Sequence, residues 1–374
     1  MKLYRTGAIA GLIAGSTALA VLLTACSSSK SDSSTDAAAN TAAASGLPIT
    51  CASGTLKGDG SSAQKNAVQE WTADFKSKCS GITINYQGSG SGAGINGFQS
   101  KQLDWAGSDA AIKGDDVTKA NANCASGGTA INIPMVVGPI SMAYNVSGVD
   151  KLTLTPKLLG EIFTGKITSW DNADIKAANS GVSLPSTPIK VITRSDSSGT
   201  SFNFSSYLSQ VDPADFTEAP AKQWPVKIGA GAKGSAGVAG AVKASDGSIG
   251  YVELSAAQDA GVKMAAIDSG DGAVEISSDA ASKFMTAGAT VTGTAPDLTL
   301  KLDYTQHGAG VYPIVLVTYE IVCTKYNDSN IGAMVKAFFS YTSGAGQGSL
   351  NDLGYAPLPS DLVTKVQSSV SAIS

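Results

Sequence analysis

Three strand–turn–helix units follow one another between residues 55 and 109, and they constrain the fold more than any other feature of the sequence. Strands are predicted at 55–60, 82–87 and 103–108, with helices after the turns that end them. Such alternation is typical of an α/β fold whose sheets are mostly parallel and flanked by helices. In these sheets ligands bind beyond the carboxyl ends of the strands, where all three turns lie.

Small polar residues occupy these three turns. Ser62 and Ala63 follow the first strand, Ser91 lies in the Gly-rich turn 88–94, and Asp109 ends the third strand. The Gly-rich turn lacks a following Gly-Lys-Ser/Thr, which excludes a P-loop. Taken alone, the turn is typical of an ordinary loop, and Asp109 of a helix cap.

A fourth turn of the same kind follows the β-branched run 189–193. It contains a fork-shaped cation, a carboxylate and several small donors, namely Arg194, Asp196, Ser198, Gly199 and Thr200. The N–H groups at the start of the following helix, with the guanidinium, suit a tetrahedral oxyanion. A capped turn with a surface ion pair is the alternative for this stretch alone.

Two long extended segments, 131–146 and 311–326, suggest a hinge between two lobes. Pro134, Gly138 and Pro139 are expected to break the first segment into pieces. The predicted division is lobe 1 at 47–140 plus 312–374 and lobe 2 at 141–311, with the ligand in the cleft between them.

The N-terminus has the pattern of an export signal. Residues 1–25 combine a basic start with an apolar stretch, and Leu23-Thr-Ala-Cys26 resembles a lipoprotein cleavage box. We expect Cys26 to carry lipid, followed by a flexible tether over 26–46; a secreted protein with a free Cys26 is the alternative. Without Lys2 and Arg5, 24 basic residues face 30 acidic ones, a net charge of −6 that argues against nucleic-acid binding.

Four cysteines remain in the exported part, which suggests two disulfides. Cys51 and Cys79 flank the first strand and helix, so their pairing is favoured and would leave Cys124 with Cys323. The connectivity stays open. No CxxC or HExxH pattern is present, and His307 is the only histidine, which argues against a metal site and against a Ser-His-Asp triad.

From about residue 55 to 370, the chain resembles the phosphate-binding protein of the bacterial phosphate-specific ABC transporter. The resemblance rests on motifs in a fixed order: Gly58-Asp-Gly-Ser-Ser62, Tyr86-Gln-Gly-Ser-Gly-Ser91, Asp104-Trp-Ala-Gly-Ser-Asp109, Glu161-Ile-Phe-Thr-Gly-Lys-Ile-Thr-Ser-Trp-Asp171, Arg194-Ser-Asp-Ser-Ser-Gly-Thr-Ser201 and Gly247-Ser-Ile-Gly-Tyr-Val-Glu253. It implies a two-lobed, periplasmic-binding-protein-like fold of type II. One departure is Ser62-Ala63, where the family often carries Thr-Phe.

The resemblance also implies a role for each candidate residue. Phosphate donors would be the hydroxyls and backbone N–H groups of Ser62, Ala63, Ser91, Ser198, Gly199 and Thr200. Arg194 would bind two phosphate oxygens, with Asp196 orienting it. Asp109 would accept the proton of monohydrogen phosphate, which sulfate lacks.

The implied function is capture of inorganic phosphate outside the membrane and delivery to the permease and its ATPase. The protein would be a lipid-anchored monomer with no cofactor and no enzymatic activity. A receptor for sulfate or molybdate, a phosphate-ester hydrolase on the same scaffold, and a phosphate sensor or adhesin are the alternatives.

Overall fold

The computed structural model describes residues 46–374. The predicted signal peptide, the lipidation at Cys26 and the tether lie outside these residues. Within residues 46–374, no helix is long and apolar enough to cross a membrane.

The strands are β1 Gly54–Gly60, β2 Ile82–Tyr86, β3 Trp105–Ser108, β4 Ala130–Asn145, β5 Thr153–Leu154, β6 Lys190–Arg194, β7 Ala230–Ala232, β8 Ser248–Glu253, β9 Lys263–Met264, β10 Ala266–Asp268, β11 Ala273–Val274, β12 Ala289–Val291, β13 Leu300–Leu302 and β14 Val315–Cys323. The α-helices are α1 Lys65–Lys78, α2 Ser91–Gln99, α3 Asp115–Asn121, α4 Pro156–Thr164, α5 Ala173–Ala178, α6 Gly199–Val211, α7 Gly234–Ala244, α8 Leu254–Ala260, α9 Ser278–Gly288, α10 Ser329–Thr342 and α11 Ser360–Ser371. Two 3₁₀ helices cover Ala345–Ser349 and Asn351–Leu353.

The three strand–turn–helix units are present as predicted. The first helix, α1, buries Val68, Trp71 and Phe75, which recur at the helical spacing seen in the sequence. It begins at Lys65, three residues after Ser62, and has no side-chain cap. The prediction of an α/β fold is confirmed.

A nine-stranded sheet forms the centre of the molecule, in the order β2-β1-β3-β14-β4-β8-β6-β7, with β9 also paired to β4. Strands β1, β2 and β3 are mutually parallel at one end, and β6, β7 and β8 at the other. The central pairs are antiparallel: β14 runs opposite to both β3 and β4, and β4 runs opposite to β8. Parallel pairing therefore holds only in the outer parts of the sheet.

The first predicted crossing is one continuous strand, which corrects the expectation that Pro134, Gly138 and Pro139 divide it. The register between β4 and β14 shifts beside Pro134, so the missing N–H of that proline falls at an irregularity of the ladder. From Ala130 to Pro139 the strand pairs with β14, and from Ile140 to Asn145 with β8. The point where β4 changes its pairing partner from β14 to β8 lies beside the proposed lobe boundary. We retain the division into two lobes as a proposal.

Two disulfides tie the ends of elements together. Cys51 is bonded to Cys79 at the end of α1, and Cys124 to Cys323 at the end of β14. This is the pairing that the sequence favours. The second bridge closes a loop of about 200 residues, since its cysteines are 199 positions apart, and long loops restrict the unfolded chain most.

Candidate functional site

Two helix N-termini meet where the Gly-rich turn before α2 contacts the turn before α6. The N–H of Gly92 donates to the carbonyl of Ser197 at 2.9 Å, and the N–H of Gly199 donates to Ser91 Oγ at 3.2 Å. A Cβ at Gly92 would lie 2.2 Å from Ser197 Oγ, and one at Gly199 would lie 2.5 Å from both Ser91 Oγ and Asp109 Cβ. Glycine at these positions therefore allows the two positive helix ends to approach one point.

Asp109 lies at that point and is 3% exposed. Its carboxylate accepts hydrogen bonds from Thr318 Oγ1 at 2.7 Å and from Ser91 Oγ at 3.3 Å. Its N–H donates to Ser91 Oγ at 3.1 Å, and its carbonyl accepts from Asn203 Nδ2 at 2.6 Å. The chain thus presents one strongly held hydrogen-bond acceptor among many donors.

The pKa of Asp109 is raised above its ordinary value because burial disfavours the charged carboxylate. Hydrogen bonds from the hydroxyls of Ser61, Thr318 and Ser91, and the positive charge of Arg194, act in the opposite direction. These interactions therefore offset only part of the rise that burial causes in the pKa of Asp109.

Arg194 ends β6 and is 4% exposed. Its Nε donates to Asp196 Oδ1 at 2.8 Å, and its Nη2 makes a second, short contact with the same carboxylate. Although burial acts to raise the pKa of Asp196, the hydrogen bonds and charge of Arg194 lower it below its ordinary value. Nη1 donates to Thr200 Oγ1 at 3.3 Å, so the guanidinium is held in one orientation with its charge compensated by Asp196.

Ser62 and Ala63 engage other protein groups. The hydroxyl of Ser62 lies 3.0 Å from that of Ser235 and accepts the Ser235 N–H at 3.1 Å. The N–H of Ala63 donates to Ser61 Oγ at 3.1 Å. A hydrogen bond of 3.0 Å from the N–H of Gly234 to Asp196 connects this corner to the arginine.

The predicted residues therefore form a central cluster, with Ser62 and Ala63 to one side of it; we call these two residues the flank. Ser91, Asp109 and Gly199 contact one another directly, and the Arg194–Asp196 pair adjoins them through Thr200. Ser198 serves as the N-cap of α6, because its Oγ accepts the N–H of Ser201 at 3.1 Å.

Sequence reasoning missed Thr318 and Asn203, which both bind Asp109. Asn203 lies four residues after Gly199 on α6, and helical spacing would have placed both on one face. Thr318 is a polar residue within the buried apolar strand β14, a signal that could have attracted notice. Its partner is 209 residues away in sequence, so no local pattern reveals the contact.

A second buried carboxylate, Glu320, lies on β14 opposite Gly107 of the β3 strand. Its Oε2 accepts from Gln64 Nε2 at 3.3 Å, and within the part of the chain that the structure describes its Oε1 has no hydrogen-bond partner. Burial raises the pKa of Glu320 well above its ordinary value.

No group of His, Cys, Asp and Glu side chains within residues 46–374 could hold a metal ion. His307 contacts Asp271 through its ring and not a serine of the cluster. The arrangement of hydroxyls, helix N–H groups and one guanidinium is suited to holding an oxyanion.

Comparison with known proteins identifies the family of this chain. Residues 45–344 match the family model for the PBP superfamily domain. The chain is 42% identical to the phosphate-binding protein PstS 3 of Mycobacterium tuberculosis over 323 residues, covering 85% of this chain and 86% of that protein. It is 33% identical to the phosphate-binding protein PstS of Xylella fastidiosa over 318 residues, covering 83% and 84%.

Solved structures support the fold at lower identity. The phosphate-binding protein of Stenotrophomonas maltophilia superimposes with a TM-score of 0.62 at 22% identity, covering 84% of this chain and 93% of that one. A human phosphate-binding apolipoprotein superimposes with a TM-score of 0.64 at 22% identity, covering 83% and 93%. The periplasmic-binding-protein-like fold expected from the sequence is thereby confirmed.

Proposed function

The chain belongs to the family of bacterial PstS phosphate-binding proteins, and on this premise we propose that it binds inorganic phosphate and delivers it to an ABC permease. The observation that carries the proposal is the convergence of Ser91, Asp109 and Gly199 beside the Arg194–Asp196 pair. Small hydroxyls, helix N–H groups and one guanidinium, oriented by Asp196, lie close to the Asp109 carboxylate, and this set complements a protonated tetrahedral oxyanion.

In this proposal the donors are assigned as the resemblance implies. Ser91, Ser198, Gly199 and Thr200 donate from the two helix starts, and Arg194 binds two phosphate oxygens. Ser62 and Ala63 donate from the flank. Phosphate binding would replace the hydrogen bonds that these donors now make with protein groups, including those of Ser91 and Gly199 within the cluster and those of Ser62 and Ala63 with Ser235 and Ser61. Closure of the proposed lobes about β4 and β14 would bring these groups onto the ion.

Asp109 would select phosphate over sulfate. Monohydrogen phosphate carries a proton that the carboxylate can accept, whereas sulfate carries none and would meet an unpaired negative charge in a buried site. Asn203 and Thr318 hold this carboxylate in position. We therefore assign them as positioning residues.

The cellular setting is part of the same proposal. The protein acts as a monomeric binding protein rather than an enzyme, held by a lipid at Cys26 on the outer face of the cell membrane. The named relatives are binding proteins, which supports a binding role for this chain. The sequence pattern around Cys26 supports the lipid anchor.

Isothermal titration calorimetry of the purified chain with phosphate, arsenate and sulfate tests the proposal. We expect tight one-to-one binding of phosphate, comparable binding of arsenate, and sulfate weaker by about 10⁴-fold or more. Absence of phosphate binding would refute the function. Equal binding of sulfate would refute the role of Asp109 and favour a general oxyanion receptor.

A further inference from the structure

A cavity of about 460 Å³ opens directly beside Asp109, and we call it the antechamber. Its charged lining comprises Asp109, Lys113, Asp116, Lys222 and Lys301, and its neutral polar lining includes Asn203, Ser206 and Gln210. Asp109 and Asn203 also belong to the candidate phosphate site, so the two spaces share a wall. The rest of the lining is largely aromatic and aliphatic, which strengthens electrostatic interactions inside the space.

Lys222 is tied to the candidate site by the backbone. The N–H of Ser198, the N-cap residue of α6, donates to the Lys222 carbonyl at 2.8 Å. The Lys222 side chain is half-buried, whereas Lys113 and Lys301 are exposed. The backbone of Lys222 is therefore anchored to the start of α6, whose first residues are among the candidate phosphate donors.

The positive charge in the antechamber is not neutralised by close contacts. Within residues 46–374, none of its three lysines forms an ion pair with an acidic side chain. Burial lowers the pKa of Lys222, while the charges of Asp116 and Asp109 act to raise it. A half-buried ammonium without an ion-pair partner gains from a nearby anion, because the anion replaces lost hydration.

Within residues 46–374, the cation of the candidate phosphate site already has an ion-pair partner. Arg194 is its cation, and Asp196 compensates that charge through two contacts. Asp109 adds a further carboxylate. A phosphate dianion that approaches this net-negative chain therefore meets, in the antechamber, lysines that form no ion pair within residues 46–374.

We propose that the antechamber is a second anion-binding site, in which its three lysines hold a phosphate ion before the ion reaches Asp109 and Arg194. This inference rests on the proposed function and adds the route of entry. Localised positive charge at the mouth of a cleft raises the association rate by increasing the local anion concentration, and salt weakens the effect.

A second cavity provides a matched control. It has a volume of about 650 Å³, and its lining includes Ser62, Lys65, Lys233 and Lys243. Lys243 there donates to the carbonyl of Ala260 at 2.7 Å. This Ser62 cavity borders the flank of the phosphate site, and replacing its three lysines changes the net charge by the same amount.

The test compares two triple variants by stopped-flow measurement of phosphate association at about 20 and 200 mM NaCl. The antechamber variant carries Lys113→Gln, Lys222→Met and Lys301→Gln; the control carries Lys65→Gln, Lys233→Gln and Lys243→Gln. We expect the association rate constant of the antechamber variant to fall about tenfold at low salt, with a weaker salt dependence. Its dissociation rate constant and the association rate constant of the control should stay within about twofold of wild type.

An unchanged association rate, or an equal fall in both variants, would overturn the inference. A loss of affinity that arises only from faster dissociation would overturn the inference as well. Wild-type calorimetry separates the two claims: a chain that binds no phosphate refutes the proposed function, whereas one that binds it with these kinetics unchanged refutes only the antechamber. If the triple variant does not fold, Lys222→Met alone should still slow association about threefold.

Discussion

Asp109, directly after β3, and Glu320, on the neighbouring strand β14, are both buried carboxylates, yet their surroundings differ. Asp109 receives hydroxyl groups from α2 and β14 and lies within the field of Arg194. Glu320 receives a single amide, from Gln64, and within residues 46–374 one of its oxygens has no hydrogen-bond partner. Burial raises the pKa of both groups.

If Asp109 accepts the phosphate proton as proposed, the difference indicates that burial is not the feature that suits a carboxylate to this role. Donors on several elements keep Asp109 oriented and oppose the rise in its pKa, so that it can accept a proton from a ligand. Glu320 receives one donor, and burial raises its pKa well above the ordinary value, which shifts it toward the neutral form. Four substitutions can test this contrast, in order of decreasing effect on phosphate binding.

The largest effect is expected for Asp109→Asn on selectivity. An amide can donate to sulfate, so the preference for phosphate should fall by about 10³-fold or more in competitive calorimetric titrations. Glu320→Gln, which makes the same carboxyl-to-amide change on the neighbouring strand β14, should leave selectivity within about twofold. An unchanged preference in Asp109→Asn would remove the specificity role. In the wild type, selectivity should also narrow as the pH falls and Asp109 becomes protonated.

Arg194→Ala should weaken phosphate binding by about 2–5 kcal/mol, because it removes the guanidinium and leaves the half-buried Asp196 without its charge partner. Calorimetry measures this loss. Lys190→Ala, at the exposed start of the same strand, is the control and should bind like the wild type. Wild-type affinity in Arg194→Ala would exclude this residue from the site.

Thr318→Val should make Asp109 more like Glu320. It removes the hydroxyl that lies 2.7 Å from the carboxylate, so the pKa of Asp109 should rise further and phosphate affinity should fall about tenfold. Thr318→Ser keeps the hydroxyl and should bind within about threefold of wild type. Equal affinity of the Val and Ser variants would show that this hydrogen bond does not position Asp109.

Glu320→Gln should leave phosphate affinity nearly unchanged but alter the pH dependence of stability. Because the folded-state pKa of Glu320 is raised, the folded chain holds an extra proton between the ordinary and the raised value, and stability falls as the pH rises through that window. The variant lacks this titration, so its stability relative to wild type should increase by up to about 1.4 kcal/mol per pH unit.

Urea denaturation from pH 5 to 8 measures that difference. The variant and the wild type share the titrations of Asp109 and Glu253, the other buried carboxylates near the site, so the difference isolates Glu320. Parallel stability curves for the two chains would contradict a neutral Glu320 in the folded state.

Local patterns in the sequence predicted much of the candidate site. Asp196 stands two residues from Arg194, and Ser91 and Gly199 start helices after Gly-rich or Ser-rich turns, so short-range geometry suffices to recognise them. Contacts between residues far apart in sequence could not be predicted in this way, including those of Thr318 with Asp109 and of Ser62 with Ser235. The continuity of β4 through two prolines also escaped, since it depends on the register of its neighbour β14.

The sequence by itself determined the α/β alternation, the residue types of an oxyanion site and the membership of a phosphate-binding family. Only the tertiary structure decided which carboxylate is supplied with donors and which cations line the cavity beside it. The reason is physical: strand and helix propensities act over a few residues, whereas burial and hydrogen bonding of a charge depend on which distant segments pack around it.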